Sequence, residues 1–311
     1  MRPLWRRIID FPLGAMIAAL ALAVGSVWLA NQVLHQVPHF GLPDASRQMI
    51  GGLIVVLVLI AVYKMGICKL GENPRDDLRG DHAGRDLALG LGGGAVLFSL
   101  VTLVAALIGV YKIVGPGDAR SILFVAVTFG IIPAVTEEML FRGILFRHLE
   151  DLGGSWFALA LTSGLFGAAH FFNPNATAFS SFAIAVEAGV LLGGAYMLTR
   201  SLWLPIGIHA AWNFTQGEIY DVPVSGIDGT GLVEAKLSGP ELLSGGSFGL
   251  EASVIALAIA TGAGVWLVVR AVRAGHIVRP WWVRRRLARS QEGIGVDIDR
   301  DADLGSPVQP S

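Results

Sequence analysis

The sequence predicts an all-α fold, a polytopic bundle of about eight transmembrane helices. Hydrophobic residues make up 53% of the 311 residues and charged residues only 15%, and the mean hydropathy is +0.62. The charged residues also cluster between long uncharged stretches, as a bilayer interior requires. This composition is too apolar for a soluble globular chain or a disordered one, so both classes are excluded.

Charge and cysteine content exclude further classes of function. The chain has 23 Lys and Arg against 24 Asp and Glu, a net charge of −1, so no basic surface for nucleic acid is predicted. Cys68 is the one cysteine of the sequence, which excludes an intrachain disulfide and a cysteine-based metal cluster. The lipid bilayer is therefore the first partner that the sequence indicates.

Each predicted span is a stretch of about 20 mostly apolar residues. In chain order the spans are 11–34, 49–63, 87–111, 121–148, two helices within 152–186, 202–217 and 252–269. The fourth continues past its glutamates because apolar residues follow without a turn signal. The sequence Asn173-Pro174-Asn175 divides the stretch 152–186 into two helices. The first span is too long for a signal peptide, so we predict an uncleaved helix.

The distribution of Lys and Arg predicts the orientation of the bundle. If the amino terminus lies inside, four of the 23 fall on the outer side: Arg47, Lys112, Arg120 and Lys236. We therefore predict a multi-pass protein of the cell membrane with both termini in the cytoplasm.

Charged residues inside the spans are candidates for function because lipid makes them costly. Glu138 and Arg142 are four residues apart on one helical face and are predicted to form an ion pair. Glu137 points about 100° away, without a partner on its own helix, and a histidine nearby would make it a general base. The alternative is an ordinary helix end at the membrane interface. Glu187 receives no catalytic role, and we expect Arg200 or a neighbouring polar group as its partner.

Two histidines each lie on the same helical face as another motif residue. His170 follows Phe166 by one turn, and His209 precedes Asn213 by one turn in a short apolar span. The alternative for His170 is a hydrogen-bonded core or interface residue. For His209 and Asn213 the alternative is hydrogen bonding between helices.

Three motifs occur in a fixed order, each in its own span. They are EExxxR at residues 137–142, FxxxH at 166–170 and HxxxN at 209–213. The ordered set resembles the CAAX protease and bacteriocin-processing (CPBP) family, over about residues 121–216. The resemblance implies an intramembrane endopeptidase whose catalytic core has four helices.

The resemblance also implies a role for each motif residue. Glu137 and His170 would activate the attacking water. His209 and Asn213 would stabilise the oxyanion of the tetrahedral intermediate. The residues implied as structural support are Glu138, Arg142 and Phe166.

The resemblance leaves two interpretations of metal use. Glu137, His170 and His209 could bind Zn²⁺ and leave a position for water. The sequence has no HExxH motif, and the usual description of the family is a metal-free glutamate and histidine mechanism. We therefore predict that no cofactor is required and keep zinc as the alternative.

We divide the chain into five segments. They are 1–120 with three spans and a cytoplasmic loop, 121–217 with the catalytic core, 218–250 as an extracytoplasmic loop, 251–275 with the last span, and 276–311 as a cytoplasmic, partly disordered tail. The loop 218–250 is Gly-rich and has no obvious core of its own.

The predicted function is hydrolysis of a peptide bond in a membrane-associated protein or peptide on the cytoplasmic side. A prenylated CAAX-type protein is one candidate substrate. The first alternative is a catalytically silent membrane scaffold or bacteriocin-immunity protein. The second is a proton-coupled transporter with Glu137, Glu187 and His209 as a relay, which would be expected to show inverted repeats or paired broken helices.

Overall fold

The computed structural model describes residues 3–38, 41–118 and 122–287 as a helical bundle with one small sheet. The helices are α1 (Leu4–Asp10), α2 (Pro12–Gln36), α3 (Asp44–Met65), α4 (Ala83–Leu107), α5 (Ile122–Gly153), α6 (Ser155–His170), α7 (Ala178–Thr199), α8 (Trp203–Phe214) and α9 (Val254–Arg273). Two strands, β1 (Tyr111–Pro116) and β2 (Val233–Leu237), pair antiparallel. Short helical turns lie between these elements.

The long helices confirm the predicted all-α membrane bundle. Within the described ranges, six are long and apolar enough to cross a bilayer: α2, α3, α4, α5, α7 and α9. Helices α6 and α8, of 16 and 12 residues, complete the eight predicted spans. The chain is a multi-pass membrane protein.

The structure departs from the predicted segments at the sheet. The third span ends at Leu107 rather than at residue 111, because Gly109 adopts a φ of 79° and Tyr111 begins β1. The loop 218–250 carries β2, and its Phe248 packs against Phe141, Phe166 and Ile184 of the bundle. In the predicted tail, residues 281–287 are helical. Residues 288–311, where partial disorder was predicted, lie outside the described residues.

Helix α5 is not a regular α-helix throughout. It contains two π-helical segments, Ala126–Ile131 and Phe141–Phe146, and a third, Thr215–Ile219, follows α8. Such wide turns occur mostly as local bulges and are frequent at functional sites. The predicted motif residues lie within or near all three.

Glycines allow α4 and α8 to approach at the backbone. A Cβ at Gly90 would lie 2.5 Å from the carbonyl oxygen of Leu204, and one at Gly207 would lie 2.6 Å from that of Leu87. Gly94 packs in the same way on the Ile208 carbonyl. Because membrane helices associate mainly by close packing, these contacts fix the position of α8.

The bundle has two ends that differ in structure. We call one the network end, formed by residues 66–82, 147–155, 199–203 and 274–287. There Arg147 donates to the Arg75 carbonyl at 2.8 Å, and the Leu202 N–H donates to the Asp77 carbonyl at 2.9 Å. Burial raises the pKa of the Asp77 carboxyl, and the neighbouring Arg75 and Arg147 oppose that rise.

The opposite end, which we call the sheet end, consists of residues 108–118, 170–178 and 215–253. It holds β1, β2 and the turns after α6 and α8. Asn173 and Asn175 donate their side-chain amides to the carbonyls of Ser225 and Gly226, at 3.3 and 3.1 Å. These bonds fasten the turn after α6 to the loop that follows α8.

Candidate active site

The predicted ion pair is present in α5 and is completely buried. Arg142 Nη1 donates to Glu138 Oε1 at 2.9 Å, and both side chains are 0% exposed. Arg142 also donates to the carbonyls of Ala188 and Gly189 in α7, at 3.3 and 3.5 Å. Its guanidinium carbon lies 4.8 Å from the ring centre of Phe166 in α6. The pair therefore joins α5 to both neighbouring helices.

Glu138 also contacts the third motif. His209 Nδ1 lies 3.1 Å from Glu138 Oε1 in the buried interior. A carboxylate can only accept a hydrogen bond, so this contact fixes the hydrogen on Nδ1 of His209. Nε2 is the ring nitrogen left for another partner. Glu138 thus connects two motifs, whereas the sequence related it to its own helix alone.

His170 is the last residue of α6 and is also held by one ring nitrogen. Its Nδ1 lies 2.8 Å from the carbonyl oxygen of Phe166, which can only accept. Neutral His170 therefore carries its hydrogen on Nδ1 and a free lone pair on Nε2, the state that a general base requires. The Phe166 ring centre lies 4.6 Å from that of His170 and 6.3 Å from that of His209. The two histidines flank one aromatic ring.

Asn213 is positioned by a carbonyl group of α5. Its Nδ2 donates to the Phe129 carbonyl at 3.0 Å. Residue 133, one turn after Phe129, is a proline and has no N–H to donate to that carbonyl. The amide group of Asn213 has two N–H bonds, so a second donor remains for a ligand.

Glu137 lies apart from this hydrogen-bonded set. It is partly exposed, and its Oε2 is buried with no hydrogen-bond partner among the described residues. Its charge lies within electrostatic range of both His209 and Arg142. A carboxylate oxygen in this state is available to accept a proton or to hold a water.

A cavity of about 40 Å³ brings three of the four predicted catalytic residues together. Among the side chains that line it are those of His170, His209 and Asn213. Glu137 is not among the lining residues in the described part of the chain. At roughly 10–15 Å³ for each water, the cavity has room for about three water molecules.

Two buried glutamates also line the cavity. Glu251 was not singled out from the sequence, and Glu187 was given no catalytic role. Glu251 lies on the turn before α9, where burial raises its pKa from 4.5 to about 7 against the hydrogen bond from the Ser225 N–H. Glu187 is 2% exposed, its Oε2 has no partner in the described ranges, and it interacts electrostatically with Glu251.

The expected partner of Glu187 was wrong in one respect. Arg200 binds Glu150 Oε2 at 2.5 Å, at the network end. Glu251 is itself an acid, so its interaction with Glu187 is repulsive when both are charged and does not supply the stabilising polar partner that was expected. An acid directly before the last apolar stretch is the sequence signal that could have indicated Glu251.

Glu137, His170 and His209 do not form the set of three ligands that the zinc alternative requires. Among the described residues, no three His, Cys, Asp or Glu side chains converge on a position that could hold a metal ion. Glu137, His170 and His209 therefore do not fit a bound zinc ion in this arrangement.

Comparison with protein families gives a match to the segment that contains all three motifs. Residues 119–215 match the family model described as Rce1-like, type II CAAX prenyl endopeptidase. This range corresponds closely to the segment for which the sequence motifs indicated the CPBP family. The family match confirms that resemblance.

Proposed function

We infer, from the match of residues 119–215, that the chain is a membrane-embedded peptidase of the kind described by the Rce1-like family of type II CAAX prenyl endopeptidases. We propose that it hydrolyses a peptide bond with a water activated by Glu137 and His170, and with an oxyanion site formed by His209 and Asn213. The observation that carries this proposal is the small cavity lined by His170, His209 and Asn213 inside an apolar bundle.

The state of His170 supports its proposed role as a base. Its Nδ1 is bound to the Phe166 carbonyl, so Nε2 has a free lone pair on a side chain that lines the cavity. A cavity water that donates to this nitrogen gains nucleophilic character as its proton is withdrawn. Glu137 lies outside the cavity lining, and its unpartnered Oε2 is the second proton acceptor in this proposal. Attack of the water oxygen on the substrate carbonyl carbon then forms the tetrahedral intermediate.

His209 and Asn213 are suited to the negative charge of that intermediate. They lie one turn apart on α8, and both line the cavity. Asn213 is oriented through the Phe129 carbonyl, and His209 is oriented through Glu138. Because Nδ1–H of His209 is given to Glu138, His209 donates to the oxyanion from Nε2 in the imidazolium form, which the adjacent carboxylate favours. Donors that are fixed before the reaction stabilise an oxyanion without a cost of reorganisation. Glu138 and Arg142 act in this proposal as positioning residues.

The experiment that tests the proposal is cleavage of a quenched-fluorescence peptide library, with prenylated and unmodified members, by detergent-purified protein. Wild type and Glu137→Gln are compared, with the exposed Glu241→Gln as a matched control for loss of one carboxylate. We expect cleavage by wild type and Glu241→Gln, none by Glu137→Gln, and no effect of a metal chelator.

Other outcomes would favour the alternatives. Loss of cleavage on chelation would favour the zinc mechanism. If wild type cleaved no peptide, the scaffold and transporter alternatives would gain support.

A further inference from the structure

Glu187 contributes a carboxyl group to the cavity from one face of α7. The residues that line the cavity on this face, three or four positions apart, are Ile184, Glu187, Ala188 and Leu191. Among them Glu187 is the polar side chain, and its neighbours are apolar. Glu187 is 2% exposed, and its Oε2 has no hydrogen-bond partner in the described ranges. The cavity therefore contains a buried carboxyl oxygen that is available to a ligand.

Glu251 brings a second carboxyl group to the same cavity. It lies on the turn before α9, is 3% exposed and accepts a hydrogen bond from the Ser225 N–H. Glu187 and Glu251 are within electrostatic range of each other, although they come from different elements. In the described part of the chain, no Lys or Arg side chain lines the cavity. Two acids thus share a buried space that has no strongly basic residue.

Acidic groups also outnumber cations around the cavity as a whole. The carboxyl groups in it and next to it are those of Glu137, Glu138, Glu187 and Glu251. The described cations there are Arg142 and the imidazolium form of His209, and both are bound to Glu138. His209 also acts on Glu251 electrostatically, but Glu187 has no cation of this kind. The charge balance of the site therefore favours a cationic ligand.

The size of the cavity indicates which cation fits. In a membrane bundle, buried ionisable groups pair with each other or mark the path of a substrate or ion. The cavity of about 40 Å³ has room for about three waters, and an ammonium group takes about the space of one. A guanidinium group is larger and planar, so the compact charge of lysine fits better. A cation beside a buried carboxyl also favours its charged form, so binding and ionisation support each other.

We propose that Glu187 and Glu251 bind the ammonium group of a substrate lysine next to the scissile bond, and so determine which peptide bond is cleaved. This inference rests on the proposed peptidase function, because His170, His209 and Asn213 line the same cavity. A lysine in this position exchanges its water shell for two carboxylates. A neutral side chain leaves both acids without a cation, and buried sites discriminate strongly against a ligand that lacks the group they bind.

The test begins with a peptide that wild type cleaves in the quenched-fluorescence library, with the scissile bond located by mass spectrometry. The residue on each side of that bond is replaced in turn by lysine, norleucine or glutamate, in peptides acetylated at the amino terminus. Norleucine keeps the apolar stem of lysine and lacks the ammonium group. We expect kcat/KM at one of the two positions to be at least about tenfold higher for lysine than for norleucine, and lowest for glutamate.

The variant Glu187→Gln keeps the size of the side chain and removes its charge. We expect the ratio of kcat/KM for the lysine and norleucine peptides to fall below about threefold in this variant. Glu251→Gln should lower the ratio in the same direction, and the exposed control Glu241→Gln should keep the wild-type ratio.

Three outcomes would overturn the inference. If Glu187→Gln lost kcat/KM equally for both peptides, Glu187 would support only the fold. If wild type cleaved the lysine and norleucine peptides equally well at both positions, the inference would fail and the peptidase function would stand. If wild type cleaved no peptide of the library, both would fail.

Discussion

The Glu138 carboxylate is shared by Arg142 and His209, which belong to different motifs and different helices. All three side chains are buried, and Glu138 and Arg142 form an ion pair. Loss of Glu138 or Arg142 leaves the charge of the other buried without its ion-pair partner. This shared contact explains why Glu138, which takes no part in the proposed chemistry, should still be needed for a folded and active protein.

Replacement of Arg142 should therefore act mainly on stability. Arg142→Ala leaves the Glu138 carboxylate buried without its ion-pair partner, and we expect a loss of about 3–5 kcal/mol in the free energy of unfolding. The measurement is thermal or denaturant unfolding in detergent, with Arg85→Ala, an exposed arginine paired with Asp86, as the control. A stable but inactive Arg142→Ala protein would indicate instead that Arg142 takes part directly in the reaction.

Replacement of Asn213 should act mainly on the rate of the chemical step. Asn213→Ala removes a proposed oxyanion donor, and we expect kcat to fall by about 10²–10³ with a small change in KM. Steady-state kinetics and an unfolding curve are measured on the same sample. If kcat were unchanged, the role of Asn213 would be structural, through its hydrogen bond to the Phe129 carbonyl.

The pKa of Glu251 predicts how stability depends on pH. Burial raises this pKa from 4.5 to about 7, so between these values the folded protein binds a proton that the unfolded chain releases. The contribution of Glu251 to the free energy of unfolding is fully present below about pH 4.5. It falls as the pH rises towards 7, by at most about 1.4 kcal/mol per pH unit. Glu251→Gln should remove this slope, as measured by unfolding between about pH 5 and 7. An unchanged slope would contradict the assignment.

Side-chain contacts were predictable from the sequence where they are local. The pair Glu138 and Arg142 follows from the four-residue spacing on one helix. The contact of Glu138 with His209 joins residues 71 positions apart, so it depends on how helices pack. Glu251 reaches the cavity through the fold of a loop, which no helical periodicity predicts.

The contact between α4 and α8 determines where two of the proposed catalytic residues lie. Gly94 packs directly on the backbone of Ile208, the residue before His209. A methyl group at this position has no space unless α8 moves. The small residues of α4 thus contribute to the geometry of the site without facing the cavity.

Substitution of two glycines of α4 should separate this effect from helix propensity. Gly94→Ala is expected to displace α8, lower kcat by at least about tenfold and reduce stability, because overpacking costs about 1–3 kcal/mol. Gly92→Ala adds the same methyl group where nothing lies within 4 Å, so kcat should stay the same. Kinetics and unfolding of both variants are the measurement. Equal effects would contradict the packing account.

The helices were largely predictable, and the sheet was not. Apolar stretches separated by charged or Asn-Pro segments gave eight spans, and each lies close to a helix of the structure. Strands β1 and β2 pair residues more than 100 positions apart, such as Tyr111 with Leu237, so their pairing depends on the fold. The segment Val233–Leu237 alternates apolar and polar residues, a strand signal that was passed over, whereas Tyr111–Pro116 does not alternate. The π-helical segments of α5 also lack a periodicity signal.

The molecule as a whole separates a polar network at one end from a reaction cavity nearer the other. Composition alone predicted the membrane bundle, because a chain with so many apolar residues and so few charged ones needs a bilayer around it. The position of the cavity along the bundle required the structure. His170 is the 16th residue of α6 and His209 is the seventh of α8, and the relative depth of the two helices brings them to one cavity.

The adjacent residues Glu137 and Glu138 offer the most direct test of the account. Glu137→Gln and Glu138→Gln make the same chemical change one residue apart, and cleavage and unfolding temperature are measured for both. We expect Glu137→Gln to unfold like wild type and to cleave nothing, because it loses only the proposed base. Glu138→Gln should unfold at a clearly lower temperature, because it strands Arg142. Cleavage by Glu137→Gln at the wild-type rate would contradict the account.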